Sequence, residues 1–557
     1  MKLNIKQISS MEKIRELSDI QSCISSARVL KGERFSYQLV LAADLVGAVE
    51  IAVDSPLKDY IRIYSVQNAV MDYPRHPAHA ACSDYITTEP GLMPDILVPM
   101  EEQQYRLWMY GAGFRVIWVE VCVPENWASG ASDVTVVITA PISAENKEES
   151  VYRSTLSLMV EDATLPKQNL IYTQWFYADC IQTAHGCLMY SERHWELIDA
   201  YMKMARELGI NMLMMPVISP ALDTEVGWER PNSQLLKIVK EEETYRFDFS
   251  DVKRWIDLCK KHGFTYYEIS HLFSQGGAAF SPNIYAEENG EEKRIFGWDI
   301  PSDDARYSDF LKQMIPALVA FLKGEGIEKQ CYFHFSDEPC EEHLSTYQWI
   351  HDLIAPMLEG CRTFDALSDY AFYAHGLVEN PVCSTHAIVP FLEKETPDLW
   401  AYNCCAQGVK LGNRFLSMPS YRNRILGLQL YKFGIKGFLH WGYNFYYSRR
   451  SLYPINPYTT TSADKAFQSG DAFSVYPGKN GPIKSIRAEV FFEGLQDISV
   501  CRKLEEFIGH DAVVAMIEDG AGMELTFEDF PRNAEFIPQL MEEMKEKIGH
   551  FASASLE

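Results

Sequence analysis

The sequence predicts an α/β protein in which a (β/α)8 TIM-like barrel follows an antiparallel β-sandwich domain. Residues 1 to about 165 carry short alternating or compact apolar runs separated by polar, Gly and Pro breaks, the pattern of a sandwich. From about Asn169 the rhythm changes to strand, helix, strand, helix, and repeated βα units build parallel sheets. No G-x-G-x-x-G or G-x-x-x-x-G-K-[ST] stands at any βα turn, which weakens a doubly wound, nucleotide-binding alternative.

The runs 35–41, 61–66, 114–121, 134–138 and 156–160 read as strands of the first domain, and 165–168 as a linker. The barrel then opens with a strand at 170–176. An amphipathic helix follows, with Trp195, Ile198, Met202 and Ala205 on its apolar face and Leu208-Gly209 at its end. Further strands are expected at 212–217, 266–271, 331–336, 363–367, 382–385, 399–403, 437–441 and 472–476, with helices at 250–262 and 310–322. Two long loops, one from Ser219 to Gln234 and one after His271, separate the early strands. The domains expected are a sandwich at 1–165, a barrel at 166–510 and a helical segment at 511–557 packing on the barrel.

The chain has 557 residues, enough for two or three domains, and a formal charge of −26. With no basic tract, neither nucleic acid nor an anionic membrane is expected as partner. The 13 cysteines are odd in number and form no C-x-x-C, so they read as reduced thiols. No apolar signal core opens the sequence, and the expected location is cytoplasmic. Neither H-x-x-x-H nor H-x-H appears at the candidate histidines, so no metal and no cofactor is expected.

The chemistry concentrates in 331–339, an aromatic strand that ends in Asp337-Glu338-Pro339. Successive side chains of a strand point to opposite faces, and Pro339 cannot donate to a ladder. The strand therefore stops here, with two adjacent acids at its end. In a barrel the strand C-termini share one face. That face would hold Trp175, Asp179, His271, Asp337, Glu338, Asp369, Tyr402, Asn403, His440, Trp441 and Asn444, a mixture of rings, amides and acids that suits a sugar pocket. Asp223 and Arg230 would stand at its rim or pin the second loop, and Arg487 with Glu489 reads as a structural ion pair. Neighbouring acids on one strand end make a poor nucleophile and acid pair across a glycosidic bond. They suit substrate-assisted hydrolysis better, in which the 2-acetamido oxygen of the sugar attacks C1.

Residues 333–339, with 216–224, 229–231, 245–249, 440–444, 476–478 and 485–489, resemble glycoside hydrolase family 123 and its uncharacterised relatives. The resemblance spans about 165 to 505. It implies a retaining exo-β-N-acetylgalactosaminidase acting on an oligosaccharide or glycoconjugate with terminal β-linked N-acetylgalactosamine. Asp337 would orient the acetamido group, and Glu338 would be general acid and then base. Trp175, His271, Asp369, Tyr402, Asn403, His440, Trp441 and Asn444 would bind substrate. The alternatives are a non-catalytic carbohydrate-binding or scaffold protein on the same fold, and a glycosidase of another hexosaminide or hexoside, for instance one pairing Glu338 with Asp369.

Overall fold

A computed structural model describes residues 3–100, 105–141, 149–224 and 227–554. The chain forms two compact units, one built from 1–169, 408–433 and 483–557, the other from 170–407 and 434–482.

The first unit is organised by two long strands, Arg34–Asp54 and Tyr105–Cys122, paired antiparallel from Arg34↔Cys122 to Ile51↔Tyr105. With seven further strands they form one nine-stranded hydrogen-bonded sheet. Each predicted run falls inside an observed strand: 34–54, 61–71, 105–122, 134–141 or 149–164. Pairing is not wholly antiparallel as expected, because Ser26–Lys31 runs parallel to Glu149–Thr164. Alternate residues of these strands, among them Leu39, Val49, Ile117, Val119, Leu156 and Leu158, bury one apolar core.

The last helix, Phe536–Ala554, packs against Ser26–Lys31 and Glu149–Thr164, where Glu542 accepts the Arg28 backbone N–H at 2.8 Å and Lys545 pairs with Glu33. Residues 511–554, expected on the barrel, thus fall in the first unit, where 536–554 cover the sheet and Glu518 and Thr526 bond to the helix Tyr421–Lys432. Their amphipathic pattern named a buried face without naming what it buries against.

Arg487 and Glu489 are structural, though not with each other. Arg487 grips buried Asp95 with Nε at 3.1 Å and Nη2 at 3.0 Å, while Glu489 pairs with Lys484 at 2.6 Å and Arg34 at 3.1 Å. Removing one partner of a buried pair strands the other charge. Asp95→Ala is expected to cost about 3–5 kcal/mol, read as a lower denaturant midpoint. An unchanged midpoint would show the pair to be dispensable.

The second unit is a closed barrel of eight parallel strands: β1 Ile171–Gln174, β2 Met212–Met215, β3 Tyr266–Ile269, β4 Cys331–Phe333, β5 Arg362–Leu367, β6 Asn380–Ser384, β7 Trp400–Asn403 and β8 Gly437–His440. β1 closes onto β8 through Ile171↔Gly437 to Gln174↔His440. Gly437 has to be glycine, since a Cβ there would lie 2.3 Å from the ring of core Trp400. The helix Glu192–Glu207 follows β1, capped by Ser191, whose side chain accepts the His194 N–H; Trp195, Ile198, Met202 and Ala205 are all buried. Burial of such side chains stabilises by about 1.5–3 kcal/mol for each large one.

Two expectations differ. The run 472–476 is no barrel strand; Val475–Gly478 pairs with Gly481–Lys484 in a separate two-stranded sheet. The long loops around β3 carry a four-stranded sheet of Thr244–Asp248, Lys237–Glu241, Ile284–Glu288 and Glu291–Phe296. Three of its strands, Lys237–Glu241, Ile284–Glu288 and Glu291–Phe296, are rich in Glu and Lys and lack the apolar alternation that marks a strand in sequence. Among the described residues no helix is long and apolar enough to cross a membrane, and all 13 cysteines stand as free thiols.

Candidate active site

Beyond β4 the chain leaves the ladder but stays pinned on both sides. Leu272 and Phe273 donate backbone N–H groups to the His334 and Phe335 carbonyls at 3.2 and 2.9 Å. Gly276 donates to the Asp337 carbonyl at 3.0 Å, and the Glu338 N–H donates to the Ala366 carbonyl at 3.0 Å. Asp365 on β5 accepts the N–H groups of Phe335 and Ser336. Within this frame Glu338 takes φ +46°, the left-handed region that a non-glycine residue enters at a cost of about 1–3 kcal/mol. That turn breaks the strand's alternation, so adjacent Asp337 and Glu338 line one cavity.

The cavity, about 280 Å3, sits in the barrel mouth, and Trp175, Tyr177, Tyr402, Trp441 and Asp223 line it with the two acids. Burial first, and then the charge of Glu338, raises the Asp337 pKa well above the usual carboxyl range. Asp337 therefore binds a proton far more tightly than a free carboxyl does. Tyr402 donates its hydroxyl to Glu338 Oε1 at 2.5 Å. Losing one hydrogen bond to a charged group removes about 1.5–3 kcal/mol. Tyr402→Phe is therefore expected to lower turnover roughly ten- to a hundredfold, with unfolding unchanged; steady-state kinetics beside a melting curve checks it.

Beneath the cavity lies a buried charged chain. His334 stands between Glu268 at 2.7 Å and Asp365 at 2.9 Å. Burial alone would depress its pKa, but those two acceptors outweigh burial and raise it to about 9, so the ring is an imidazolium at neutral pH. Glu268 also accepts Trp175 Nε1 at 2.5 Å and Thr173 Oγ1 at 2.7 Å, and Asp365 accepts the Tyr347 hydroxyl. The one network thus fixes the acid-bearing turn through Asp365 and a wall of the cavity through Trp175.

Trp441 is held by its Nε1, which donates to Asp471 at 2.9 Å, and by contacts with Phe445 and Phe467. The next residue, Gly442, passes so close to the backbone that a Cβ would lie 2.4 Å from the Ala472 oxygen.

Trp175, Tyr402, Trp441, Asp337 and Glu338 thus line one cavity together with Asp223, which accepts the Arg450 N–H at 3.0 Å. Arg230 instead pins its loop, paired with buried Asp179 at 3.1 Å.

Five predicted substrate binders serve the scaffold. His271 is fully buried, its ring stacked on His334 at 3.9 Å; burial and the His334 charge drive its pKa well below 6.5. Asp369 caps the helix Tyr370–Ala374 by accepting the Ala371 N–H at 2.9 Å. Asn403 accepts Thr385 Oγ1 at 2.5 Å, inside the barrel. His440 accepts the Gly442 N–H at 3.1 Å. Asn444 clamps both backbone polar groups of Tyr177, at 2.9 and 3.0 Å. Asn403 and His440 each stand next to a cavity residue in sequence, and one step along a strand end turns a side chain to the other face.

Sequence reasoning missed Glu268, Asp365, Tyr177, Gln275 and Phe467. Glu268 and Asp365 stand mid-strand in apolar runs, and a buried acid in such a run was the available signal.

Among the described residues, His271, His334 and Asp365 bring possible ligand atoms within 4.8 Å of one another. A metal lies in the plane of each imidazole that binds it, and these two rings are parallel within 11° and 3.9 Å apart. No ion can lie in both planes. The second such group, Cys340, Glu342 and His343, is an exposed turn in which His343 Nδ1 already accepts the Cys340 N–H.

The sequence model of the glycoside hydrolase 123 catalytic domain matches residues 175–504. Among solved structures, a family 123 glycoside hydrolase from Clostridium perfringens, described for glycolipid glycan hydrolysis, superposes with TM-score 0.74 at 15% identity, covering 99% of each chain. Two short domains also match: a PapD-like domain of human CEP192, with TM-score 0.14 at 13% identity over 29% of this chain and 87% of its own, and WR4, a C. elegans MSP family member, with TM-score 0.14 at 6% identity over 24% and 92%. At those scores neither bears on this chain. No curated protein matches it.

Proposed function

The chain belongs to glycoside hydrolase family 123 and is a glycoside hydrolase, and from that premise we propose that it is a retaining exo-β-N-acetylgalactosaminidase acting by substrate-assisted catalysis. The observation that carries the reading is the turn at Glu338, which brings two neighbouring carboxyls into one cavity with a tyrosine hydroxyl on one of them.

Glu338 gives its proton to the glycosidic oxygen as the bond to C1 breaks, and the 2-acetamido oxygen attacks C1 from the other face. Asp337 accepts the acetamido N–H and supports the positive charge of the oxazolinium. Water then attacks C1, Glu338 takes its proton, and the sugar leaves with its anomeric configuration retained.

Trp175 and Trp441 supply ring faces for the C–H surface of the sugar, and Tyr402 keeps its hydroxyl on Glu338, where it steadies the carboxylate left once the proton has gone. The cavity is at or below the small end of ligand pockets, about 300–1,000 Å3, which favours one terminal residue over a chain threaded through. The alternative pairing of Glu338 with Asp369 is disfavoured, since Asp369 is occupied as a helix cap outside the cavity. The C. perfringens relative's link to glycolipid glycans makes that class the first natural substrate to offer this chain.

Hydrolysis of para-nitrophenyl β-N-acetylgalactosaminide, beside the N-acetylglucosaminide and the plain galactoside, tests the reading. The first should be cleaved and the galactoside far more slowly. Equal rates on both galactosides would remove the acetamido group from the mechanism, and preference for the N-acetylglucosaminide would change the sugar while keeping it.

A further inference from the structure

Two thiols stand side by side in the wall of the cavity. Cys404 and Cys405 follow directly on β7 and both line the space that holds Asp337 and Glu338. They are the sole vicinal cysteines in the sequence, and both are half-buried. Their turn is fixed, because the Cys404 N–H donates to Gln407 Oε1 at 2.7 Å and Gln407 Nε2 donates to Ser384 Oγ at 2.6 Å. The two thiols hydrogen-bond each other, which is the foremost cause holding the Cys404 pKa well above 9, with burial next and Glu338 close enough to add to it. Neither sulfur has a part in the hydrolysis described above.

We propose that Cys404 and Cys405 form a dithiol site in the pocket wall that takes a trivalent arsenical across both sulfurs, and that an occupied site excludes the sugar. The second half rests on the glycosidase reading of the cavity; the first does not. An organoarsenic(III) oxide reacts with the two thiols to form two As–S bonds, and its oxygen leaves with the two S–H protons as water. Arsenic stays trivalent, so no oxidant takes part. Once the first bond has formed, the second closes within one molecule at high effective concentration, which a lone thiol cannot match.

The test treats the full chain, freed of reductant, with phenylarsine oxide and maps the tryptic peptide Glu395–Lys410, which carries both cysteines and no other. One phenylarsenic group on that peptide is expected, with both thiols closed to iodoacetamide. Dithiothreitol should release it, and mercaptoethanol at equal thiol concentration should not. Cys405→Ser should lose the adduct. Label on another peptide, or one of the two sulfurs still open to iodoacetamide, overturns the proposal. N-acetylgalactosamine should slow labelling at least tenfold. A labelled peptide indifferent to that sugar upholds the dithiol and overturns the exclusion of sugar. In that case hydrolysis of the N-acetylgalactosaminide decides whether the cavity is the catalytic one.

Discussion

Glu338→Gln should reduce hydrolysis of an N-acetylgalactosaminide by about 10²–10⁴-fold, the usual contribution of a positioned general acid. That range corresponds to about 3–5 kcal/mol of lost transition-state stabilisation. The change keeps size and hydrogen-bonding shape. Glu338 is exposed and its backbone bond to Ala366 does not involve the side chain, so the melting temperature should stay put. The loss should shrink as the leaving group improves, because a dinitrophenolate departs without a proton while an alkyl alcohol does not. A comparable loss in Asp337→Asn is expected for every leaving group, since Asp337 acts on the acetamido group in both steps. A Glu338→Gln enzyme with uniform losses across leaving groups would deny Glu338 the role of acid, and wild-type rates would deny it any role.

His334→Phe should be the most destabilising single change in the barrel, at about 3–5 kcal/mol. It leaves Glu268 and Asp365 buried without the cation between them, and removing one member of a buried charged network costs far more than the network contributes. The pH dependence identifies the cause. His334 has its pKa raised from 6.5 to about 9 in the folded chain. The folded state therefore holds this proton more tightly than the unfolded one, and the stabilisation is complete below pH 6.5 and lost as pH rises through 9. Denaturant midpoints of the wild type should fall between pH 7 and 10. In His334→Phe this fall should vanish. A wild-type midpoint flat from pH 7 to 10 would mean that His334 is not the charged link.

The β-rich first unit and the eight-strand alternation were legible in the sequence because period and breakers are local: Leu208-Gly209 closes the helix that ends at Glu207. So was the acid-bearing turn, since two successive carboxyls before a proline cannot continue a ladder. What the tertiary structure decided is which strand-end residues face the cavity. Trp175, Tyr402 and Trp441 do, while His271, Asn403, His440 and Asn444 are held in the scaffold. Barrel tilt and register set that division, and neither is written in a single strand. The partners of His334 lie 66 and 31 residues away on β3 and β5, and Cys404 reaches the neighbourhood of Glu338 from β7. Hydrogen bonds and charge act through a few ångströms of space, whereas sequence pattern records only neighbours along the chain, so these contacts came into being only when the barrel closed.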